Sequence, residues 1–78
     1  MRVIEVMGPG CSNCKRVEAT VREVVERLGI QAEIRKIVDY PDIISRGVLS
    51  TPGLAIDGSV VSVGRVPTRE QVEGWLVG

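Results

Sequence analysis

The chain holds two cysteines and no histidine, and the cysteines stand three positions apart in Cys11-Ser12-Asn13-Cys14. A pair with this spacing is two core residues, half of a zinc site, a soft-metal clip or a redox dithiol. Structural zinc takes four ligands, usually Cys or His, so a zinc site here would need carboxylates or a second chain. Two thiolates also suit Cu(I). Cys–His nucleophilic hydrolysis is excluded outright by the missing histidine. Redox chemistry needs only that one thiol ionise readily and that the second lie within bonding reach, and a two-residue spacer at the start of a helix meets the second condition.

The residues on either side set that stage. Arg2 to Met7 alternate and are rich in Val and Ile, which predicts a strand. Gly8-Pro9-Gly10 ends it, and a helix is expected from about Ser12 to Leu28. Cys14, Val17, Val21, Val24, Val25 and Leu28 form its apolar stripe, and Gly29 stops it. The cysteines therefore fall at a strand–helix junction. Helix N-termini carry unsatisfied N–H groups and a partial positive charge, which stabilise a thiolate there. Cys11 precedes the first turn and follows a flexible loop, so its sulfur is expected to be exposed and to act as nucleophile. Cys14 shares the stripe with Val17 and Val21, so its sulfur is expected to be shielded and to act as resolving thiol. Lys15 and Arg16 follow the pair and add positive charge, as solvated surface residues commonly do.

Downstream, a second strand is expected over Ala32 to Val38 and turn chemistry over Asp39-Tyr40-Pro41-Asp42. A short helix over Asp42 to Arg46 follows, stopped by Gly47. Leu54-Ala55-Ile56 and Ser59 to Val63 flank Asp57-Gly58, a strong two-residue hairpin signal. Thr68 with Gln71 fits a capping box that opens a last helix through Leu76. The order β-α-β-α-β-β-α predicts an α/β fold: a mixed four-stranded sheet whose first two strands are parallel, with helices packed on it. Trp75 and Met7 are read as packing residues.

Bulk composition agrees with one folded unit. The 78 residues suffice for a single domain over positions 1–78, and 44% hydrophobic with 26% charged residues is a globular balance. Ten basic and ten acidic residues cancel and are dispersed, unlike a nucleic-acid-binding surface. No apolar run approaches the ~20 residues of a membrane span, and the first residues lack the pattern of a signal peptide. A cytoplasmic monomer is expected. Two cysteines are also too few for a secreted disulfide scaffold.

Taken in order, the strand, the Cys11-Ser12-Asn13-Cys14 loop, the long helix, Thr51-Pro52 before a strand and the Asp57-Gly58 hairpin resemble the thioredoxin superfamily. The closest likeness is to its small, glutaredoxin-sized bacterial and archaeal redox-active disulfide proteins, and it spans essentially the whole chain. The resemblance implies a three-layer thioredoxin-like fold and thiol–disulfide oxidoreductase activity through Cys11 and Cys14. It also implies a cis peptide bond at Pro52, with Thr51 and Pro52 contacting the substrate chain. No cofactor is expected. Disulfide-containing proteins would be the substrates, and a thioredoxin-reductase-like flavoprotein the source of electrons.

Several features depart from the pattern. Thioredoxins proper have Trp before the first cysteine and Gly-Pro between the two, where this chain has Gly10 and Ser12-Asn13. Their buried proton-transferring acid has no evident match. The aromatic spacer residue and preceding basic residue of glutaredoxins are missing as well. Two other functions use the same thiols. A heavy-metal-associated module also carries Met and C-x-x-C between a first strand and helix, but it ends on a strand and its Met lies closer to the motif than Met7 does. A redox sensor domain would use the same reactive Cys11 without turnover.

Overall fold

In the computed structural model, residues 2–10 and 12–77 are described. Strand β1 (Arg2–Met7) leads into helix α1 (Ser12–Leu28), then strand β2 (Ala32–Ile37), helix α2 (Tyr40–Ser45), strands β3 (Gly53–Ile56) and β4 (Ser59–Val63), and helix α3 (Arg69–Val77). The sheet order is β2-β1-β3-β4. β1 runs parallel to β2, with Ile4 opposite Ile34, and antiparallel to β3, with Val6 opposite Leu54. β3 and β4 form the expected hairpin. Asp57 and Gly58 have φ of 51° and 86°, so both turn residues take positive φ, as this tight turn requires.

Strand alternation divides the core in two. Ile4, Val6, Leu54 and Ile56 face one side, where Val17, Val21 and Val24 of α1 and Val72 and Leu76 of α3 cover them. Met7 and Ala55 face the other side, beneath Ile43 of α2 and Val48. The apolar stripe read for α1 is thus the stripe it buries. Leu28 and Val25 sit only part-buried at its edge.

Several boundaries differ by one or two residues from the sequence reading. β2 ends at Ile37, one residue before Val38, which is 52% exposed. Helix α2 starts at Tyr40 rather than Asp42, because Pro41 stands in its first turn, where a missing N–H costs nothing. Helix α3 begins after Thr68. The Thr68 hydroxyl accepts the Gln71 N–H at 3.1 Å and the Gln71 side chain accepts the Thr68 N–H at 3.0 Å, which is the reciprocal capping box in full.

Candidate active site

Parallel pairing brings the C-terminal ends of β1 and β2 together, and the Gly8 N–H continues the ladder by donating to the Ile37 carbonyl at 2.8 Å. The first turn of α1 lands on this end of the sheet. Its Cys14 is 5% exposed, as its place on the apolar stripe requires. The sulfur rests directly on the Gly8 backbone: a Cβ at Gly8 would overlap Cys14 Sγ and stand 3.3 Å from Cys14 Cβ and 3.7 Å from Thr51 Cβ. Gly8 is therefore the floor on which Cys14 and Thr51 meet. Cys11 lies outside the described residues.

Thr51 arrives from the other side of the sheet. The loop from α2 to β3 is held by Val48, which is 1% exposed and packs on the backbone of Gly53. The Thr51–Pro52 peptide bond is cis, and Pro52 is fully buried. The Pro52 carbonyl accepts the Gly64 N–H at 2.8 Å, tying this loop to the end of β4. Thr51, half-buried, and Pro52 thus stand beside Cys14, and the sequence-predicted residues among those described converge on one place.

Beside Cys14 lies a cavity of about 80 Å³ whose walls include Gly8, Gly10, Lys15, Glu18 and Lys36. Glu18 accepts a hydrogen bond from Arg22 Nε at 2.9 Å and pairs with Lys36 Nζ at 3.3 Å. The Arg22 hydrogen bond, followed by the Lys36 contact, holds the Glu18 carboxyl below its ordinary value against an opposing effect of burial. A larger open groove of about 560 Å³ runs between α1 and the start of α3, away from the described site residues. Two arginines on its walls, Arg27 and Arg69, are already paired with Glu73 and Glu23.

Gly8 and Glu5 were not singled out from the sequence. Gly8 looked like a strand breaker because Pro9 and Gly10 follow it. Glu5 is a buried acid in the central strand, 7% exposed, which sequence reading did not find. A lone charge amid Val3, Ile4, Val6 and Met7 was its only signal. Its carboxylate meets Arg46 Nη1 at 2.6 Å. Alternation puts Glu5 on the α2 face with Met7, whereas Cys14 belongs to the helix on the opposite face.

Comparison with known proteins decides the family. Residues 2–77 match the thioredoxin domain. The chain belongs to the thioredoxin family. It is 41% identical over 76 residues to a thioredoxin of Methanothermobacter thermautotrophicus, covering 97% of this chain and 99% of that protein. It is 40% identical over 76 residues to a thioredoxin of Methanocaldococcus jannaschii, covering 97% of this chain and 87% of that one. The mixed four-stranded sheet expected from the order of elements, and the thioredoxin-like fold that the resemblance implied, are the ones observed, and the helical ending at α3 departs from the metal-binding module, which closes on a strand. Among the described residues no group of three or more His, Cys, Asp or Glu comes together, and no helix is long and apolar enough to cross a membrane.

Proposed function

We propose that this thioredoxin-family chain is a thiol–disulfide oxidoreductase working through Cys11 and Cys14. The observation that carries the reading is the packing of Cys14 Sγ on Gly8 with Thr51 alongside, at the N-terminal turn of α1. Cys11 Sγ, as thiolate, attacks a substrate disulfide. One substrate sulfur leaves as thiolate and takes a proton from solvent, and the other stays bonded to Cys11. Cys14, deprotonated, then attacks Cys11 Sγ. The mixed disulfide breaks, the Cys11–Cys14 disulfide forms, and the second substrate thiol departs. Two electrons have passed from the dithiol to the substrate.

The local structure supports this division of labour. A shielded Cys14 attacks only a sulfur held next to it, which favours resolution over side reactions with bulk disulfides. Thr51 and Pro52, beside that sulfur, would hold the substrate chain. Disulfide-containing proteins are the proposed substrates. A thioredoxin-reductase-like flavoprotein is the proposed donor that returns the pair to the dithiol.

A redox titration of the purified protein, read by alkylation and intact mass, tests the reading. A reversible two-electron Cys11–Cys14 couple between roughly −180 and −300 mV is expected. Cys11→Ser should abolish turnover, and Cys14→Ser should accumulate a mixed disulfide with substrate. A pair that stays reduced or oxidises irreversibly across that range, or single variants that retain full disulfide reductase activity, would overturn it.

A further inference from the structure

Strand β2 is an edge of the sheet. β1 pairs along one side of it, and among the described residues no strand lies on the other. Its backbone phase fixes which groups are left over. The carbonyls of Gln31 and Ile37 accept from the N–H groups of Arg2 and Gly8, so Glu33, Arg35 and Ile37 turn their N–H and C=O toward β1. Ala32, Ile34 and Lys36 therefore turn theirs toward the free edge, along a strand with no proline and an unbroken register. The opposite edge, β4, carries a register irregularity against Leu54 and Ala55, a break of the kind that spoils strand addition.

Charged side chains ordinarily keep such an edge unpaired. In β2 their order does the reverse for one partner, a second copy of β2. Two copies related by a two-fold axis pair antiparallel about a single residue, because a hydrogen-bonded position must map onto its like and not onto its neighbour. Two such registers keep most of the strand paired: residues 32–36 centred on Ile34, or residues 33–37 centred on Arg35. Centring on Arg35 sets like charges directly opposite. Centring on Ile34 sets Ile34 against Ile34, and Glu33 of each copy across from Arg35 of the other. The Ile34–Ile34 position and both Ala32–Lys36 positions then exchange N–H···O bonds through the groups already turned outward. The Glu33–Arg35 positions fall at the sites without hydrogen bonds, where Cα atoms stand only about 4.5 Å apart and side chains meet most closely.

Both faces of the strand agree with that register. Glu33 and Arg35 lie together on one face, where Arg35 Nε contacts Glu33 within the same copy and both side chains remain open to solvent. On the other face Ile34 and Ala32 reach the main core only part-buried. With Arg22, Val25 and Glu26 they wall a hollow of about 150 Å³ along the edge. Ile34 of a second copy would close on this apolar strip, and the small Ala32 leaves room for the long Lys36 side chain opposite it.

We propose that two copies of this chain associate by antiparallel pairing of their β2 edges, centred on Ile34, which joins the two sheets into one. The paired strip is narrow, so the association is weak and grows with concentration. It does not depend on the oxidoreductase reading.

Sedimentation and amide exchange test it, with the protein kept reduced so that no intermolecular disulfide forms. As concentration rises into the millimolar range, the average mass should climb above that of one chain. The amides of Ala32, Ile34 and Lys36 should gain protection, while those of Glu33 and Arg35, already bonded to β1, hold theirs. Arg35→Glu and Glu33→Arg should each weaken self-association at least about tenfold, since two attractive pairs become two repulsive ones. Mixed together, these two variants should associate with each other, because one then presents two acids and the other two bases at the facing positions. The double variant Glu33→Arg/Arg35→Glu should recover self-association. A wild-type chain that stays monomeric, or concentration-dependent protection that spares Ala32, Ile34 and Lys36, would overturn the proposal. So would an Arg35→Glu variant that self-associates as the wild type does, or a mixture no more associated than its parts.

Discussion

Gly8→Ala tests the geometry of the site most directly. Gly8 does not have positive φ, unlike Gly10, Gly29 or Gly58, so alanine can adopt its backbone conformation without strain. The whole effect is steric. The added methyl would occupy the space of Cys14 Sγ and press on Cys14 Cβ at 3.3 Å, while its 3.7 Å contact with Thr51 Cβ is ordinary. Relief requires the sulfur to leave its rotamer or the first turn of α1 to lift. Forcing one extra carbon into a packed site costs about 1–3 kcal/mol. For a chain of this size that lowers the midpoint of thermal unfolding by about 4–8 °C for each kcal/mol.

A double-mutant cycle assigns that cost to the sulfur. Cys14→Ala removes Sγ, so Gly8→Ala should be much less costly in that background than in the wild type. The expected coupling is about 1–2 kcal/mol, well above the few tenths seen between independent sites. Denaturant titration of the four proteins, all reduced, measures it. Equal cost in both backgrounds would refute the reasoning, because the clash would then lie elsewhere. In turnover assays Gly8→Ala should impair resolution more than the first attack, since the group it displaces is Cys14.

Two other substitutions probe the supports of the site. Arg46→Ala strands the Glu5 carboxylate, whose side chain is only 9% exposed, and should cost about 2 kcal/mol in denaturant titration. Adding Glu5→Gln should restore part of that loss, and a cost below about 0.5 kcal/mol would show the pair to be dispensable. Asp57 accepts the Val3 N–H at 2.9 Å and pairs with Arg2 Nε at 2.6 Å. The Val3 hydrogen bond, with the Arg2 charge adding to it, holds its carboxyl below the ordinary aspartate value. A depressed folded-state pKa stabilises in full above the unfolded value of about 4 and is lost as pH falls through the folded value. Asp57→Asn keeps the oxygen acceptor but not the charge. The variant should melt below the wild type at neutral pH, and the gap should close on acidification below about pH 4. A gap independent of pH would remove the charge from the explanation.

What the sequence made legible follows from how local each signal is. The α1 stripe, the Asp57-Gly58 turn and the Thr68–Gln71 box are short-range patterns, and each formed as read. The start of α2 was misplaced because Pro41 serves a turn and a helix first turn equally well. The thiol pair and Thr51-Pro52 were readable as residue types in order. Their meeting place was not, because Gly8, Cys14 and Thr51 come from the end of β1, from α1 and from the α2–β3 loop, which sheet pairing and helix packing bring together only in the fold. Glu18 and Arg22 have the i,i+4 spacing of an ordinary surface ion pair, which by itself marks no site. The second partner of Glu18, Lys36, comes from β2, and the cavity that Glu18 shares with Cys14 exists only once β2 lies beside β1.

Two glycines govern that convergence. At the end of β1, Gly8 lets Cys14 Sγ sit on the backbone. At the start of β3, Gly53 does the same for Val48, whose methyls would lie 2.8 and 3.2 Å from a Cβ there. Met7, the residue paired with Gly53 across the β1–β3 ladder, approaches the same point within 3.4 Å. One contact lowers α1 onto the sheet from one face, and the other draws the α2–β3 loop down from the opposite face. A larger residue at Gly8 would push Cys14 outward, and one at Gly53 would lift Val48 and carry Thr51–Pro52 with it. The separation of Cys14 from Thr51 is therefore set by the absence of side chains at these two positions, as much as by any attraction between the groups themselves.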